Sequence, residues 1–500
     1  MRNIQRLIFI SIISISIVVL GCVSAGLAET QTDKELHSQS LFRLKPEITS
    51  EIPHNPDLAK QQALYPNTSR VAFIDNFAWQ VFLALNWPAD CQQGATLEDK
   101  KIGEVPDAPR IWEFYRTPET IFLSAGKEPS TQPTKPFTCL NVTSARGLQT
   151  EDSSLQLTES EKLDGNEKGT NENKPLVDQQ GNYIIMESYI NPQEFNQIVE
   201  NKWYDAVNLQ QFNNEDKKFA LVCSEDANAN PLNVPCSTYE KEGAIEIKAA
   251  WRVFDPQTSN EEKARYYTTK RQRTIPAQSN ECAKGKALCS DTGQEFTQIV
   301  EVGLIGFHIK QKTSEQGWIW STFEQVDNVP DNSSNRARYT LYNPDCSENC
   351  IENKPYVEKP YLWRQEAPHA VKKVGDTIEN QIPSQITRLP NSSLNSHRLE
   401  QNKHWQEALK DISQSSVWQY YQLIGTQWLT NPSLPYNKSL RDVTPKSSLA
   451  NVSIEPYIPN SSCIECHTGA KLRASKQLYV DFSFPMGRAN SSNSSATNAQ

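Results

Sequence analysis

Apolar residues fall into two periodicities along this chain. From Asp75 to Pro88, Phe77, Val81, Phe82 and Leu85 recur at helical spacing, with Asp75 placed to cap the start and Pro88 to mark the stop. Asn191 to Asp205 predicts another helix, with Phe195, Ile198 and Val199 on one side. The middle alternates. In Ala244 to Phe254, Ile245, Ile247, Ala249, Trp251 and Val253 share one face, and Glu246, Lys248 and Arg252 the other. Gln298 to Lys310 is apolar on both faces, as a central strand would be. After a polar turn at Thr313 to Gly317, Trp318 to Phe323 is expected to return antiparallel to it. Val417 to Trp428 reads as a second aromatic helix ended by Pro432. The pattern predicts an α+β fold: a strand-rich body with flanking helices.

Polar stretches divide the chain. Residues 22–70 are Pro-containing and aperiodic and read as a flexible tether, before an α+β body over 71–380. Within it, 151–180 is a run of Glu, Asp, Ser, Asn and Lys with little to bury, expected as an exposed insertion. Residues 380–400 form a second Asn/Ser-rich connection, within a linker and aromatic helix assigned to 381–460. A short segment, 461–488, follows, and 489–500 is a polar, disordered tail; no internal repeat is apparent.

The N-terminus reads as an export signal over residues 1–21. Arg2 and Arg6 precede an apolar run from Leu7 to Leu20 that is too short to span a bilayer comfortably. Val19-Leu20-Gly21-Cys22 resembles a lipobox, which would lipidate Cys22 and anchor the mature chain on a membrane; Gly26-Leu27-Ala28 is a competing site for ordinary cleavage. Net charge is −9, and −11 without Arg2 and Arg6, so there is no basic footprint for nucleic acid.

Of eleven cysteines, eight fall into neighbouring couples: Cys91 with Cys139, Cys223 with Cys236, Cys282 with Cys289, Cys346 with Cys350. An even set in an exported chain reads as disulfides, although eight cysteines allow 105 connectivities and this pairing is a preference.

The remaining pair stands in Cys463-Ile464-Glu465-Cys466-His467. Two thiols at this spacing followed at once by an imidazole suit covalent attachment of one c-type haem, with His467 as axial iron ligand. A zinc half-site or a disulfide is the alternative, but no second Cys/His pair lies at zinc-like spacing. Only 33 residues follow His467. That is too little to cover a haem alone, so the segment is expected to dock on the body. Met486 is the nearest distal iron ligand in sequence and His308 the leading distant one; His369, His397 and His404 lie in polar or helical surroundings. Lys471, Arg473 and Arg488 are the nearest cations for propionates, or ordinary solvated charges. Glu324, just after the hairpin, is a weak acid–base candidate alongside His308.

Several stretches resemble a bacterial cytochrome c family, the cytochrome c domain-containing proteins: Phe77 to Gln80, Leu85 to Pro88, Gly303 to Ile309, Trp320 to Glu324, Asp327 to Pro330, Tyr421 to Trp428, and Leu449 to Cys463. The resemblance covers about residues 70 to 490. It implies covalent haem on Cys463 and Cys466, His467 on iron, and electron transfer without a known substrate. The expectation is an exported, periplasmic or lipid-anchored monohaem cytochrome serving a redox partner protein or a small electron donor or acceptor. A haem-dependent oxidoreductase with an open distal side, and a non-redox surface binding protein with structural haem or zinc, are the competing readings.

Overall fold

The computed structural model describes residues 44–140, 156–157, 175–214, 219–225, 234–285, 287–330, 339–347, 349–389, 394–433, 443–446, 448–475 and 477–492. The export signal, Cys22 and most of the acidic 151–180 run lie outside these residues. No described helix is long and apolar enough to cross a membrane.

Eight strands make one large antiparallel sheet: β1 (Gln156–Leu157), β2 (Ile185–Ile190), β3 (Ile245–Val253), β4 (Thr268–Ile275), β5 (Phe296–Thr313), β6 (Gly317–Gln325), β7 (Tyr421–Leu429) and β8 (Val443–Thr444). Their order in space is β1-β2-β3-β5-β6-β7-β8. β5, at 18 residues, is long enough to serve three partners. Its Gly303 pairs with Arg252 on one side and Thr268 on the other, so β4 and β6 lie end to end along the edge opposite β3. The β5–β6 hairpin forms as expected. Gly317 (φ +73°) supplies its left-handed residue, and Thr313 Oγ1 accepts from the Gln316 N–H.

The apolar side of the sheet is covered by two helices, α1 (Arg70–Leu85) and α3 (Ser396–Ile412). Trp79 of α1 stacks on Trp405 of α3 with centroids 5.6 Å apart and planes 9° from parallel. Phe82 stacks on Phe323 of β6 at 4.1 Å and meets Phe307 of β5 edge-on at 5.7 Å. Since side chains alternate along a strand, the neighbours of Phe307 and Phe323 point to the opposite side, where the site lies.

Three local expectations are corrected. First, α1 starts earlier than Asp75. Ser69 is its cap, accepting from the Ala72 N–H at 3.2 Å. Asp75 is buried, where a lone carboxylate is costly; it accepts from Arg398 Nε at 2.8 Å and Thr426 Oγ1 at 2.5 Å. Second, Val417 to Trp428 is not a helix. One 3-10 turn, Val417–Tyr420, leads into β7, every residue of which is buried. Gly425 disfavours a helix at its centre, and antiparallel pairing with β6 satisfies its backbone on that edge. Third, the connection over 380–400 gives way to α3. Its buried stripe is Arg398, Gln401, Asn402, Trp405 and Leu409, mostly polar and so invisible to hydrophobic periodicity. Asn402 Nδ2 donates to Leu423 O at 2.9 Å while its Oδ1 accepts from Leu423 N at 3.0 Å, beside the bulge in β7. The tether is also shorter than expected, because Leu44, Ile52 and Leu58 are in the core and Leu58–Leu64 is helical.

Four disulfides join neighbouring cysteines as expected: Cys91–Cys139, Cys223–Cys236, Cys282–Cys289 and Cys346–Cys350, with Cα atoms 5.1 to 6.0 Å apart. They fit an oxidising, exported environment. Cys282–Cys289 braces a smaller four-stranded sheet built from Cys289–Ser290, Leu362–Trp363, Ala370–Val374 and Thr377–Asn380.

Candidate functional site

Register places Gly306, His308, Lys310 and Lys312 of β5 opposite Glu324, Thr322, Trp320 and Trp318 of β6. These eight share the face away from the helices. The chain from Leu449 onward lies across it.

The near end of that chain is fixed by polar side chains. Asn451 Nδ2 donates to Thr322 Oγ1 at 2.8 Å and to Phe323 O at 2.9 Å. Glu324 is fully buried, accepts from the Val452 N–H at 2.8 Å and pairs with Arg388 at 2.6 Å. His308 Nε2 lies 2.9 and 3.0 Å from the two oxygens of Glu455. Gly306 is required here, since a Cβ would sit 2.1 Å from Ser453 Oγ. Glu324 and His308, weighed as catalytic groups, are both engaged in anchoring this turn.

The Cys-x-x-Cys-His stretch forms a one-turn helix, α4 (Cys463–His467). Ser462 caps it, and its hydroxyl donates to Gln427 Oε1 on β7 at 3.0 Å. Ile464 is buried, while Cys463, Cys466 and His467 are half-buried, Cys463 packing against the core. Neither Cys463 nor Cys466 takes part in a disulfide. The Cys463 thiol points to Leu449 O at 3.7 Å; burial, then the nearby Glu455 and Cys466, push its pKa well up.

His467 has a defined tautomer. Nδ1 is 2.7 Å from the carbonyl oxygen of Phe482, and a carbonyl only accepts, so Nδ1 carries the proton and the Nε2 lone pair is available. The ring is flanked by Phe484 at 4.8 Å and Trp320 at 5.7 Å between centroids. Burial, then the charge of Lys310, hold the imidazole pKa well below its ordinary value, so it is neutral and a competent ligand.

The carbonyl that orients His467 is presented by an uncommon backbone. Asp481 (φ 50°) and Phe482 (φ 62°) are successive non-glycine residues in the left-handed region. Asp481 is held by Trp318 Nε1 at 3.1 Å, Leu221 N at 2.8 Å and Lys312 Nζ at 2.6 Å. Lys310 Nζ donates to Phe482 O at 2.9 Å and pairs with Glu246 at 3.0 Å. Glu194, on α2 (Pro192–Glu200), completes this buried group of charges. Neither of its carboxylate oxygens has a partner among the described residues. Burial and the neighbouring Glu246 raise its pKa well above the ordinary carboxylate value.

The other sequence candidates are dispersed. Met486 is fully buried beside Ile464, Leu472 and Val480. Arg488 pairs with Glu119 at 2.6 Å, Lys471 lies over Tyr479 at 4.6 Å, and Arg473 is exposed. His369 stacks on Trp363 at 4.7 Å, in the smaller sheet; His397 and His404 are on α3. A cleft of about 880 Å³ lined by Phe114, Arg116, Phe195 and Glu242 contains none of the motif residues. Sequence reasoning missed Phe482, Asp481, Lys310 and Asn451. The one available signal was the basic alternation His308-x-Lys310-x-Lys312 within an otherwise apolar strand.

No family model, curated protein or solved structure matches this chain.

Proposed function

We propose that this chain is an exported monohaem c-type cytochrome, akin to the cytochrome c domain-containing proteins it resembles in sequence. In this reading Cys463 and Cys466 carry the haem and His467 binds its iron through Nε2. The carrying observation is the His467–Phe482 contact at 2.7 Å, which leaves Nε2 as the lone-pair nitrogen beside two cysteines outside the disulfides. A ligating histidine characteristically donates its other N–H to an acceptor of this kind.

The haem, when attached, supplies one-electron exchange at its iron. The chain's own residues do the rest. Ser462 and Gln427 fix the attachment turn, Phe482 fixes the imidazole, and Phe484 and Trp320 wall the ring. A redox partner protein or small donor or acceptor would exchange the electron, and a lipidated Cys22 would keep the protein at a membrane. Zinc is less well supported, because among the described residues no three His, Cys, Asp or Glu side chains converge as a metal set.

A second reading, an oxidoreductase open on the distal side, is favoured by the enclosure of Met486 and by the engagement of His308 with Glu455. Carbon monoxide or cyanide binding at neutral pH would support it, and resistance to both would support the carrier.

The deciding experiment is a haem-stained denaturing gel of protein made in a host with a cytochrome c maturation system. A band that stays haem-positive is expected. A mature chain whose mass is that of its amino acids and disulfides alone overturns the reading.

A further inference from the structure

We propose that Lys310 is a positioning residue for His467 that raises the reduction potential of the haem iron; this rests on the reading of the site given above. The geometry is a shared acceptor. Phe482 O receives His467 Nδ1–H at 2.7 Å and Lys310 Nζ–H at 2.9 Å. A strong acceptor on Nδ1 draws the imidazole toward imidazolate, makes it a better donor to iron and favours the oxidised state. A second, cationic donor on the same carbonyl weakens that pull. The ammonium also acts directly, because a nearby buried positive charge disfavours the more positive, oxidised iron.

Lys310 is built for this place. It is buried, comes from the C-terminal part of β5, and has its Nζ 3.9 Å from the Trp318 ring centroid. Glu246, opposite it on β3, supplies the counter-charge at 3.0 Å. Lys312 serves a different carbonyl, Leu221 O, together with Asp481, so it holds the strained turn without touching the histidine's acceptor. Lys310 pairs with Glu246 and Lys312 with Asp481, and either member of the Lys310–Glu246 pair is open to change in a predictable direction.

The test is the midpoint potential of the purified holoprotein and three variants. Lys310→Met removes both donor and charge. It should lower the potential by at least a tenfold change in the oxidised-to-reduced ratio at fixed ambient potential, about 59 mV for a one-electron couple. Glu246→Gln leaves the cation uncompensated and should raise the potential. Lys310→Met/Glu246→Gln removes one cation and one anion and so leaves the net charge of the cluster unchanged, which guards against misfolding. It should still lie below wild type, because the carbonyl then serves His467 without competition from Lys310. In the reduced protein the Nδ1 proton resonance of His467 should move in Lys310→Met and in the double variant, a response that simple loosening of the core would not produce. Potentials within twofold in ratio for Lys310→Met and the double variant, on protein that stains for covalent haem, overturn this inference and leave the cytochrome reading standing. Wild-type protein without covalent haem overturns both.

Discussion

His308 and Glu455 meet through both carboxylate oxygens, 2.9 and 3.0 Å from one imidazole nitrogen. This contact ties the central strand to the turn that leads into the attachment helix. Burial, the largest single influence, would raise the Glu455 pKa, but the charge and hydrogen bond of His308, the charge of Lys248 and the Asn451 N–H together outweigh it and leave it below the usual carboxylate value. A depressed folded pKa gives stability that is present above the unfolded value and lost as pH falls through the folded one. The wild-type protein should therefore lose stability from about pH 4.5 downward. Glu455→Gln should cost about 1–3 kcal/mol at pH 7 and flatten that acid limb. Urea unfolding at pH 7 and pH 3.5 checks both; equal acid slopes in the two proteins would contradict the assignment.

Asp75 predicts a larger effect. Its carboxylate joins α1 to Arg398 of α3 and Thr426 of β7, all buried. Asp75→Ala leaves a buried guanidinium without this counter-charge and should destabilise the fold by about 3–5 kcal/mol. A loss below about 1 kcal/mol in chemical denaturation would mean that water or backbone carbonyls replace the carboxylate.

Gly306→Ala tests whether the segment from Leu449 onward seats directly on β5. The new methyl would fall 2.1 Å from Ser453 Oγ, an overpacking expected to cost about 1–3 kcal/mol. Ser453→Ala in the same chain should recover part of that cost. Strict additivity of the two substitutions in a double-mutant cycle would place Ser453 elsewhere.

Cys463→Ser/Cys466→Ser should abolish haem staining on a denaturing gel. The haem-free variant should keep the four disulfides and the unfolding midpoint of haem-free wild type, within about 0.5 kcal/mol, since neither thiol belongs to a disulfide. Retention of the stain would show attachment through other residues.

The parts of the fold legible in the sequence were those whose burial is apolar. β3, the β5–β6 hairpin and α1 follow directly from period-2 or period-3.6 runs of Ile, Val, Phe and Trp. α3 escaped because its inward stripe begins with Arg398, Gln401 and Asn402, which bond to the Asp75 carboxylate and to backbone carbonyls instead of packing as hydrocarbon. β7 escaped because its run of Trp, Tyr, Leu and Ile suits a buried helix as well as a strand, and periodicity alone does not separate the two. At the site, the five residues Cys463 to His467 were singled out by their spacing, although the one-turn helix they form was not. The contact that orients it was not, because Phe482 acts through its main chain and a side-chain alphabet does not record a carbonyl held at positive φ.

The order of the strands bears on how the protein matures. Every strand of the large sheet, down to Val443–Thr444, precedes the attachment helix in the chain. Its strand pairing therefore uses no residue beyond Thr444. The four disulfides of the body all lie before Cys463 and Cys466 in the chain, so they pair among themselves without either of those two thiols. If the haem proposed above is attached, this order would leave Cys463 and Cys466 as the two thiols outside the body's four disulfides, on the segment that follows every strand of the sheet.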